Sequence, residues 1–197
     1  MYRKFIKRPL DIIIAVPLII FFSPLFILVS FLIFIFNGKP IFFIQTRPGY
    51  KSKIFKIIKF STMYNSDKNN KLSDKNRVTK IGKFLRMSSI DELPELFNIL
   101  KGEMSFVGPR PLLTEYLIIY NNEQIKRHDC IPGLTGLAQV NGRNITEWKD
   151  RINYDIQYQK NITFFQDLKI IIKSIYIVLF FKGINKDKKN IMNKFQG

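Results

Sequence analysis

The chain has 197 residues and carries 32 Lys and Arg against 15 Asp and Glu, which gives a formal charge of +17 at pH 7. This length fits one folded domain with a membrane element, and the charge indicates anionic partners such as lipid, nucleic acid or phosphorylated substrates. Cys130 and His128 are the only residues of their types, so an internal disulfide, a Cys/His zinc cluster and a His-pair metal site are excluded. Catalysis would therefore depend on carboxylates, Lys, Arg or hydroxyl groups.

The N-terminal part of the chain is an almost unbroken apolar segment, from Leu10 to Phe36, in which Asp11 is the single charged residue. At ~1.5 Å per residue, a helix of this length can cross a ~30 Å hydrocarbon layer. The segment is too long for a signal peptide and has no small-x-small cleavage site, so we predict that it stays in the membrane. Pro24 cannot donate to the carbonyl of Ile20, so we expect a kink, with the Ser23 hydroxyl bonding a freed carbonyl.

Positive residues flank this segment on both sides, which bears on its topology. Those before it are Arg3, Lys4, Lys7 and Arg8, and those after it are Lys39, Arg47, Lys51, Lys53, Lys56 and Lys59. Because positive residues mark the cytoplasmic side of a bilayer, the pattern favours a re-entrant helix over residues 1–36 with both ends on that side. A single spanning helix is an equal alternative from these residues alone, since the rule has exceptions.

The chain after the membrane segment indicates an α+β domain over residues 37–182, mostly helical with a small β-sheet. The β-like stretches are 41–45 and 55–60, the helical ones 78–87, 93–100 and 167–182, and a polar loop covers 64–76. The last helix is apolar but bordered by lysines, so it is either an interfacial amphipathic helix or a buried core helix. Residues 183–197 are predicted to form a loose polar tail.

The adjacent carboxylates Asp91 and Glu92 lie near the predicted start of a helix. Ser89-Ile90-Asp91-Glu92 fits a capping box, and acids are favoured in a first helical turn, so the pair taken alone favours an ordinary helix start. A helix start also favours an approaching diphosphate, so capping and catalysis are compatible.

Two downstream segments have features of phosphate binding. Pro109 and Pro111 fix the backbone on either side of Arg110, which would hold its guanidinium for bidentate contact with a phosphate. Residues 131–143 combine several glycines with Arg143 after an Asn-Gly turn, and glycine exposes backbone N–H groups to an anion. The alternatives are a rigid surface turn for the first segment and a pair of β-turns for the second.

Taken together and in order, these stretches closely resemble the bacterial sugar transferase family, specifically its small monotopic phosphoglycosyl transferases (PglC type). The matching residues are Lys7 to Asp11, Ser23-Pro24, Lys59 to Met63, Asp91 to Asn98, Lys101 to Pro111 and Pro132 to Arg143. The resemblance covers nearly the whole chain, and the ordered set is far more specific than any one motif.

The resemblance implies that a carboxylate, assisted by Mg²⁺, attacks the β-phosphate of a UDP-sugar and releases UMP, after which undecaprenyl phosphate takes the phosphosugar. It makes Asp91 the nucleophile and a ligand of the Mg²⁺, and Glu92 an acid/base or positioning partner. Neighbours on a helix point roughly 100° apart, so distinct roles are expected. The further residues that the resemblance assigns are Lys59, Arg86, Arg110 and Arg143 to phosphate or nucleotide, and Pro109, Pro111 and Asp167 to support of the site.

The resemblance also favours the re-entrant topology for Ser23-Pro24. It implies a bacterial inner membrane enzyme with its catalytic domain on the cytoplasmic face, which initiates glycoconjugate assembly and has membrane lipid but no nucleic acid as a partner. Two rival functions stay open. One is a basic, membrane-tethered binding module, and the other is a nucleotide-sugar hydrolase that passes the same aspartyl intermediate to water.

Overall fold

The computed structural model describes residues 1–64, 77–142, 147–180 and Phe195. A π-helical turn, Tyr2–Ile6, leads into the first α-helix. The elements are α1 (Lys7–Asn37), β1 (Phe42–Pro48), β2 (Ile54–Phe60), α2 (Lys80–Ser88), α3 (Glu95–Lys101), β3 (Ser105–Val107), β4 (Gly133–Thr135), α4 (Leu137–Gly142), α5 (Trp148–Lys160) and α6 (Phe164–Leu179). The predicted α+β class, mostly helical with small sheets, is confirmed.

Helix α1 continues from Lys7 to Asn37 although it contains Pro17 and Pro24. The Ser23 hydroxyl donates to the carbonyl of Ile20 at 2.8 Å and so takes the place of the N–H that Pro24 lacks. This is the contact expected from the sequence. The helix continues beyond Pro24, so the predicted kink does not end it.

One face of α1 packs along the rest of the protein. Ala15 is buried against residues of β2 and α3, and Val29 and Ile33 are buried in a second cluster with Phe60 and Leu85. The remaining surface is apolar and exposed; it includes Ile13, Ile20, Phe21, Ile27, Phe31, Ile35 and Phe36. The helical stretch Tyr2–Asn37 contains an 18-residue segment with a mean hydropathy of 2.9, and it is long and apolar enough to cross a membrane.

Two small sheets position the site. Strands β1 and β2 form the antiparallel pair that the sequence predicts, with Phe43 opposite Lys59. Strands β3 and β4 pair in parallel, and a Cβ at Gly133 would lie 2.0 Å from the nitrogen of Gly108, so glycine permits this close approach. The alternative of two β-turns over 131–143 is wrong, because β4 and α4 occupy residues 133–142 and Asn141-Gly142 ends a helix.

Helix α6 has two different faces. Ile170 packs in a core cluster with Val107 and Tyr158, whereas Phe165, Leu168, Ile172, Ile175 and Leu179 are exposed. The buried face agrees with the core alternative, and the exposed apolar face is the one that an interfacial helix would place in lipid. In the predicted tail, Phe195 is buried against Tyr116 and Trp148, and the other residues of 183–197 lie outside the described residues. Residues 65–76 of the predicted loop lie outside the described residues.

Candidate active site

The two adjacent carboxylates lie in a short 3₁₀ turn, Ile90–Glu92, which we call the carboxylate turn. Helix α2 ends at Ser88, the following Ser89 reverses the chain with a φ of 58°, and α3 begins directly after Pro94. The capping-box interpretation is wrong, because the Ser89 side chain makes no capping hydrogen bond and the Glu92 N–H donates to a backbone carbonyl. The local geometry thus leaves both acidic side chains available for tertiary contacts.

Glu92 is held by two cations from distant parts of the chain. Its Oε1 lies 2.6 Å from Lys59 Nζ and 2.5 Å from Arg110 Nη2, while Arg110 Nη1 lies 3.4 Å from Oε2. The Glu92 side chain is 18% exposed. Burial would raise the pKa of Glu92, but the charges and hydrogen bonds of Arg110 and Lys59 outweigh it and hold that pKa well below its usual range. Glu92 is therefore a fixed carboxylate.

Asp91 is in the opposite situation. Within the described ranges it has no hydrogen bond or ion pair, so its carboxylate oxygens are free. Burial and then the charge of Glu92 raise the pKa of Asp91 to about 6, against the opposing charges of Lys59, Arg110 and Arg86. Near neutral pH it is thus mainly ionised but more basic than an ordinary aspartate. A free carboxylate of this kind suits a nucleophile or a metal ligand.

A third acid, Glu95, belongs to this cluster and was not among the predicted site residues. Its side chain is almost fully buried in the first turn of α3, and its Oε1 lies 3.0 Å from Lys59 Nζ. Burial and the charge of Glu92 raise the pKa of Glu95 to about 7. The i,i+3 spacing of Glu92 and Glu95 was the available signal, because it places both on one helical face.

Substituting Glu95 by Gln is expected to stabilise the protein at alkaline pH. Because its pKa is raised on folding, the Glu95 carboxyl contributes stability below its unfolded pKa and loses it as pH rises through about 7. We expect Glu95→Gln to gain on the order of 2 kcal/mol over the parent at pH 8 and nothing at pH 4. Thermal unfolding midpoints measured across this pH range check it, and equal midpoints at pH 8 would contradict it.

Arg110 is held in place through its backbone as well as through its guanidinium group. Pro109 and Pro111 are buried on either side of it, and the Pro109 carbonyl accepts from Gly133 N at 3.0 Å. The Arg110 carbonyl accepts from Arg127 Nη2 at 2.7 Å, and Arg127 pairs with Asp155 at 2.6 Å. The buried pair of Arg127 and Asp155 was not predicted from the sequence, and it joins residues 28 positions apart.

Two further predicted site residues, Arg86 and Lys59, lie near the carboxylate turn. Arg86 Nε donates to Thr62 Oγ1 at 2.8 Å, and the Arg86 charge acts on Asp91, which places its guanidinium near the nucleophile candidate. Lys59 bridges Glu92 and Glu95. Arg143 lies outside the described residues.

The structure places Asp167 in a different cluster, away from the carboxylate turn. Its Oδ2 accepts from Lys7 Nζ at 2.5 Å and from Tyr2 OH at 2.8 Å, and its Oδ1 accepts from Tyr158 OH at 2.7 Å. Tyr158 OH also lies 3.0 Å from the Val107 carbonyl, at the end of β3. Asp167 therefore joins the start of α1 to α6 and β3.

The acidic side chains of the site decide whether it can hold Mg²⁺. No group of three or more His, Cys, Asp or Glu suited to a metal occurs among the described residues. Both oxygens of Glu92 face cations, whereas the Asp91 carboxylate has no partner among the residues that the structure describes. Since Mg²⁺ usually takes one or two carboxylates and completes its shell with water and substrate phosphates, a single free carboxylate fits it.

A long apolar helix packed along a small α+β domain is the architecture of a membrane-associated protein. Residues 2–181 match the family described as bacterial sugar transferase, and the chain belongs to that family. The resemblance stated from the motifs is thereby confirmed.

Similar proteins agree with this assignment. The chain is 41% identical over 194 residues to the uncharacterized sugar transferase EpsL of Bacillus subtilis, covering 98% of this chain and 96% of EpsL. It is 39% identical to the UDP-glucose:undecaprenyl-phosphate glucose-1-phosphate transferase of Caulobacter vibrioides, over 86% of this chain and 68% of that protein. It is 36% identical to the undecaprenyl-phosphate galactose phosphotransferase of Salmonella typhimurium, over 89% of this chain and 41% of that protein.

Proposed function

We propose that this enzyme moves a phosphosugar from a UDP-sugar to undecaprenyl phosphate, with release of UMP, through a covalent intermediate on Asp91. The names of its relatives support the donor and acceptor classes. The observation that carries the mechanism is the contrast within the carboxylate turn. Asp91 is free, whereas Glu92 holds Lys59 and Arg110 beside it. A nucleophile next to preplaced cations is the arrangement that phosphoryl transfer requires.

The reaction has two displacements at the same phosphorus atom. In the first, an Asp91 oxygen bonds to the β-phosphorus of the donor while the bond from that phosphorus to the oxygen of UMP breaks, and UMP leaves with the electron pair. In the second, an oxygen of the lipid phosphate bonds to this phosphorus and the Asp91 carboxylate leaves. No proton has to be transferred in either step, since each nucleophile is an anion.

The other charged residues of the site position the diphosphate of the donor and neutralise its charge. Arg110 presents its guanidinium from a rigid loop, and Lys59 presents its ammonium from the end of β2, so both can contact the diphosphate oxygens. The low pKa of Glu92 keeps it ionised, so we assign it to positioning these cations rather than to proton transfer. When bound at Asp91, Mg²⁺ would supply neutralisation of the diphosphate charge.

One assay tests this function against its rivals. Purified protein in phospholipid nanodiscs is incubated with Mg²⁺, a panel of UDP-sugars and undecaprenyl phosphate, and UMP and lipid-linked sugar are measured. The proposal expects both products in equal amounts. Absence of UMP with every donor would favour a binding module, and UMP without lipid product would favour hydrolysis.

The packing of α1 supports a re-entrant topology. Lys7 pairs with Asp167 near its start, and Ile33 packs against Phe60 and Leu85 near its end. These positions lie roughly 39 Å apart along an α-helix, yet both contact the same domain. A helix that crossed the bilayer at a steep angle would carry one end away from that domain. We infer that both ends lie on the cytoplasmic face of the bacterial inner membrane.

Cysteine labelling tests this topology. In a Cys130→Ser background, Lys4→Cys and Lys53→Cys place single thiols at exposed positions before and after α1. A membrane-impermeant maleimide should label both in inverted vesicles and neither in intact spheroplasts, because the two ends share one side. Labelling of one position in each preparation would establish a spanning helix instead.

A further inference from the structure

An apolar groove runs between the second half of α1 and helix α2. Leu25, Leu28 and Leu32 line it from α1, and Ile81 and Phe84 line it from α2. Its volume is about 360 Å³, which lies within the range of roughly 300–1,000 Å³ typical of small-molecule sites. Of the described residues that line it, Lys80 is the one that carries a charge. The groove therefore suits an apolar chain with little polar substitution.

The groove extends to the residue that precedes the candidate nucleophile. Ile90 also lines it, and Ile90 directly precedes Asp91 in the carboxylate turn. Arg86, on the helix that forms one wall, acts electrostatically on Asp91. An occupant with an apolar body and an anionic end can therefore lie between the helices with its charge near Arg86 and its reacting atom near Asp91.

The groove is also open to the apolar surface of α1. Leu28 is 52% exposed and Phe84 is 61% exposed, and the neighbouring Ile27 and Phe31 are exposed as well. This surface is the part of the protein with the strongest membrane character. An occupant can thus enter sideways from lipid without passing through water.

We propose that this groove binds the isoprenoid chain of the polyprenyl phosphate acceptor and directs its phosphate to Asp91. This inference rests on the proposed function and adds the acceptor site to it. A monophosphate at the end of one long apolar chain matches a single groove that ends beside cations. A membrane phospholipid has two chains and a phosphate blocked by esters on both sides, and fits less well.

A second apolar groove, on α6, is a poorer candidate. Phe165, Leu168, Ile172 and Tyr176 line it together with Lys169 and Lys173. Helix α6 packs on α4, β3 and β4 rather than on the carboxylate turn. None of these lining residues adjoins the carboxylate turn in sequence, so this groove serves as the comparison site.

A pair of adjacent substitutions tests the proposal. Leu28→Trp fills the groove, whereas Ile27→Trp adds the same side chain at a position that is 72% exposed and outside it. Leu28→Trp should raise the KM for undecaprenyl phosphate roughly five- to tenfold. The single-turnover release of UMP without acceptor should be unchanged, and Ile27→Trp should resemble the parent in both. Equal KM values for undecaprenyl phosphate in the two variants would overturn the proposal that this groove binds the acceptor.

Photolabelling of the unsubstituted enzyme gives an answer that does not depend on variant folding. A polyprenyl phosphate with a diazirine on its chain should label residues 25–32 or 80–90, and excess undecaprenyl phosphate should prevent it. Labelling at 165–176, or equal competition by phosphatidylglycerol, would overturn the proposal. Failure of the proposed function itself is distinguishable, because the parent would then release no UMP from any UDP-sugar.

Discussion

Asp91→Asn is expected to reduce formation of lipid-linked sugar by on the order of 10³-fold or more, because it removes the nucleophile. The carboxamide is nearly isosteric and Asp91 has no hydrogen bond within the described residues, so folding should be preserved. Its thermal midpoint above pH 6 should be no lower than that of the parent, because the pKa of Asp91 is raised on folding and its ionised form costs stability there. Enzyme quenched in acid after mixing with UDP-sugar should show the added mass of a phosphosugar in the parent and none in Asp91→Asn.

Glu92→Gln provides the matched control for the same experiment. It removes the charge that fixes Lys59 and Arg110 but leaves Asp91 in place. We expect a loss of roughly 10- to 100-fold in rate, with the covalent adduct still detectable, because loosened positioning groups slow the chemistry without preventing it. An active Asp91→Asn enzyme, or an adduct that disappears in Glu92→Gln and persists in Asp91→Asn, would overturn the assignment.

Local sequence patterns predicted the framework of this site well. The β1–β2 pair, the helices on either side of the carboxylate turn and the Ser23 contact beneath Pro24 all follow from alternation, periodicity or proline chemistry within a few residues. Strands β3 and β4 escaped prediction because three residues each are too short to show alternation. The capping box failed because Ser89 adopts a left-handed conformation that ends α2.

The ion pairs were beyond sequence reasoning for a different reason. The contact between Glu92 and Lys59 joins residues 33 positions apart, and that between Lys7 and Asp167 joins residues 160 apart. Such pairs are fixed by how helices and strands pack, and no local pattern reports them. Motif resemblance named most of the participants, but it could not show that Asp167 anchors the start of α1.

That anchor should be important for stability. The side chains of Lys7 and Asp167 are only 9% and 5% exposed, and two tyrosine hydroxyls complete the cluster. Asp167→Asn removes the carboxylate that pairs with the buried Lys7 ammonium and leaves Asp11 as its remaining acidic neighbour. Removing one partner of a buried ion pair typically costs about 3–5 kcal/mol. For a chain of this size we expect the thermal midpoint to fall by roughly 10 °C. Intrinsic fluorescence of the protein in detergent or nanodiscs, followed during heating, measures this thermal midpoint.

Two controls separate the buried charge from other effects. The double variant Lys7→Met with Asp167→Asn removes both charges of the pair and should recover part of the lost midpoint, since the unpaired ammonium is gone while the buried Asp11 loses the attraction of Lys7. Glu123→Gln breaks an ion pair of the same 2.5 Å length, but its Lys126 and Glu123 side chains are 45% and 64% exposed, so the midpoint should not change. If Asp167→Asn behaved like Glu123→Gln, the start of α1 would not be anchored by this pair.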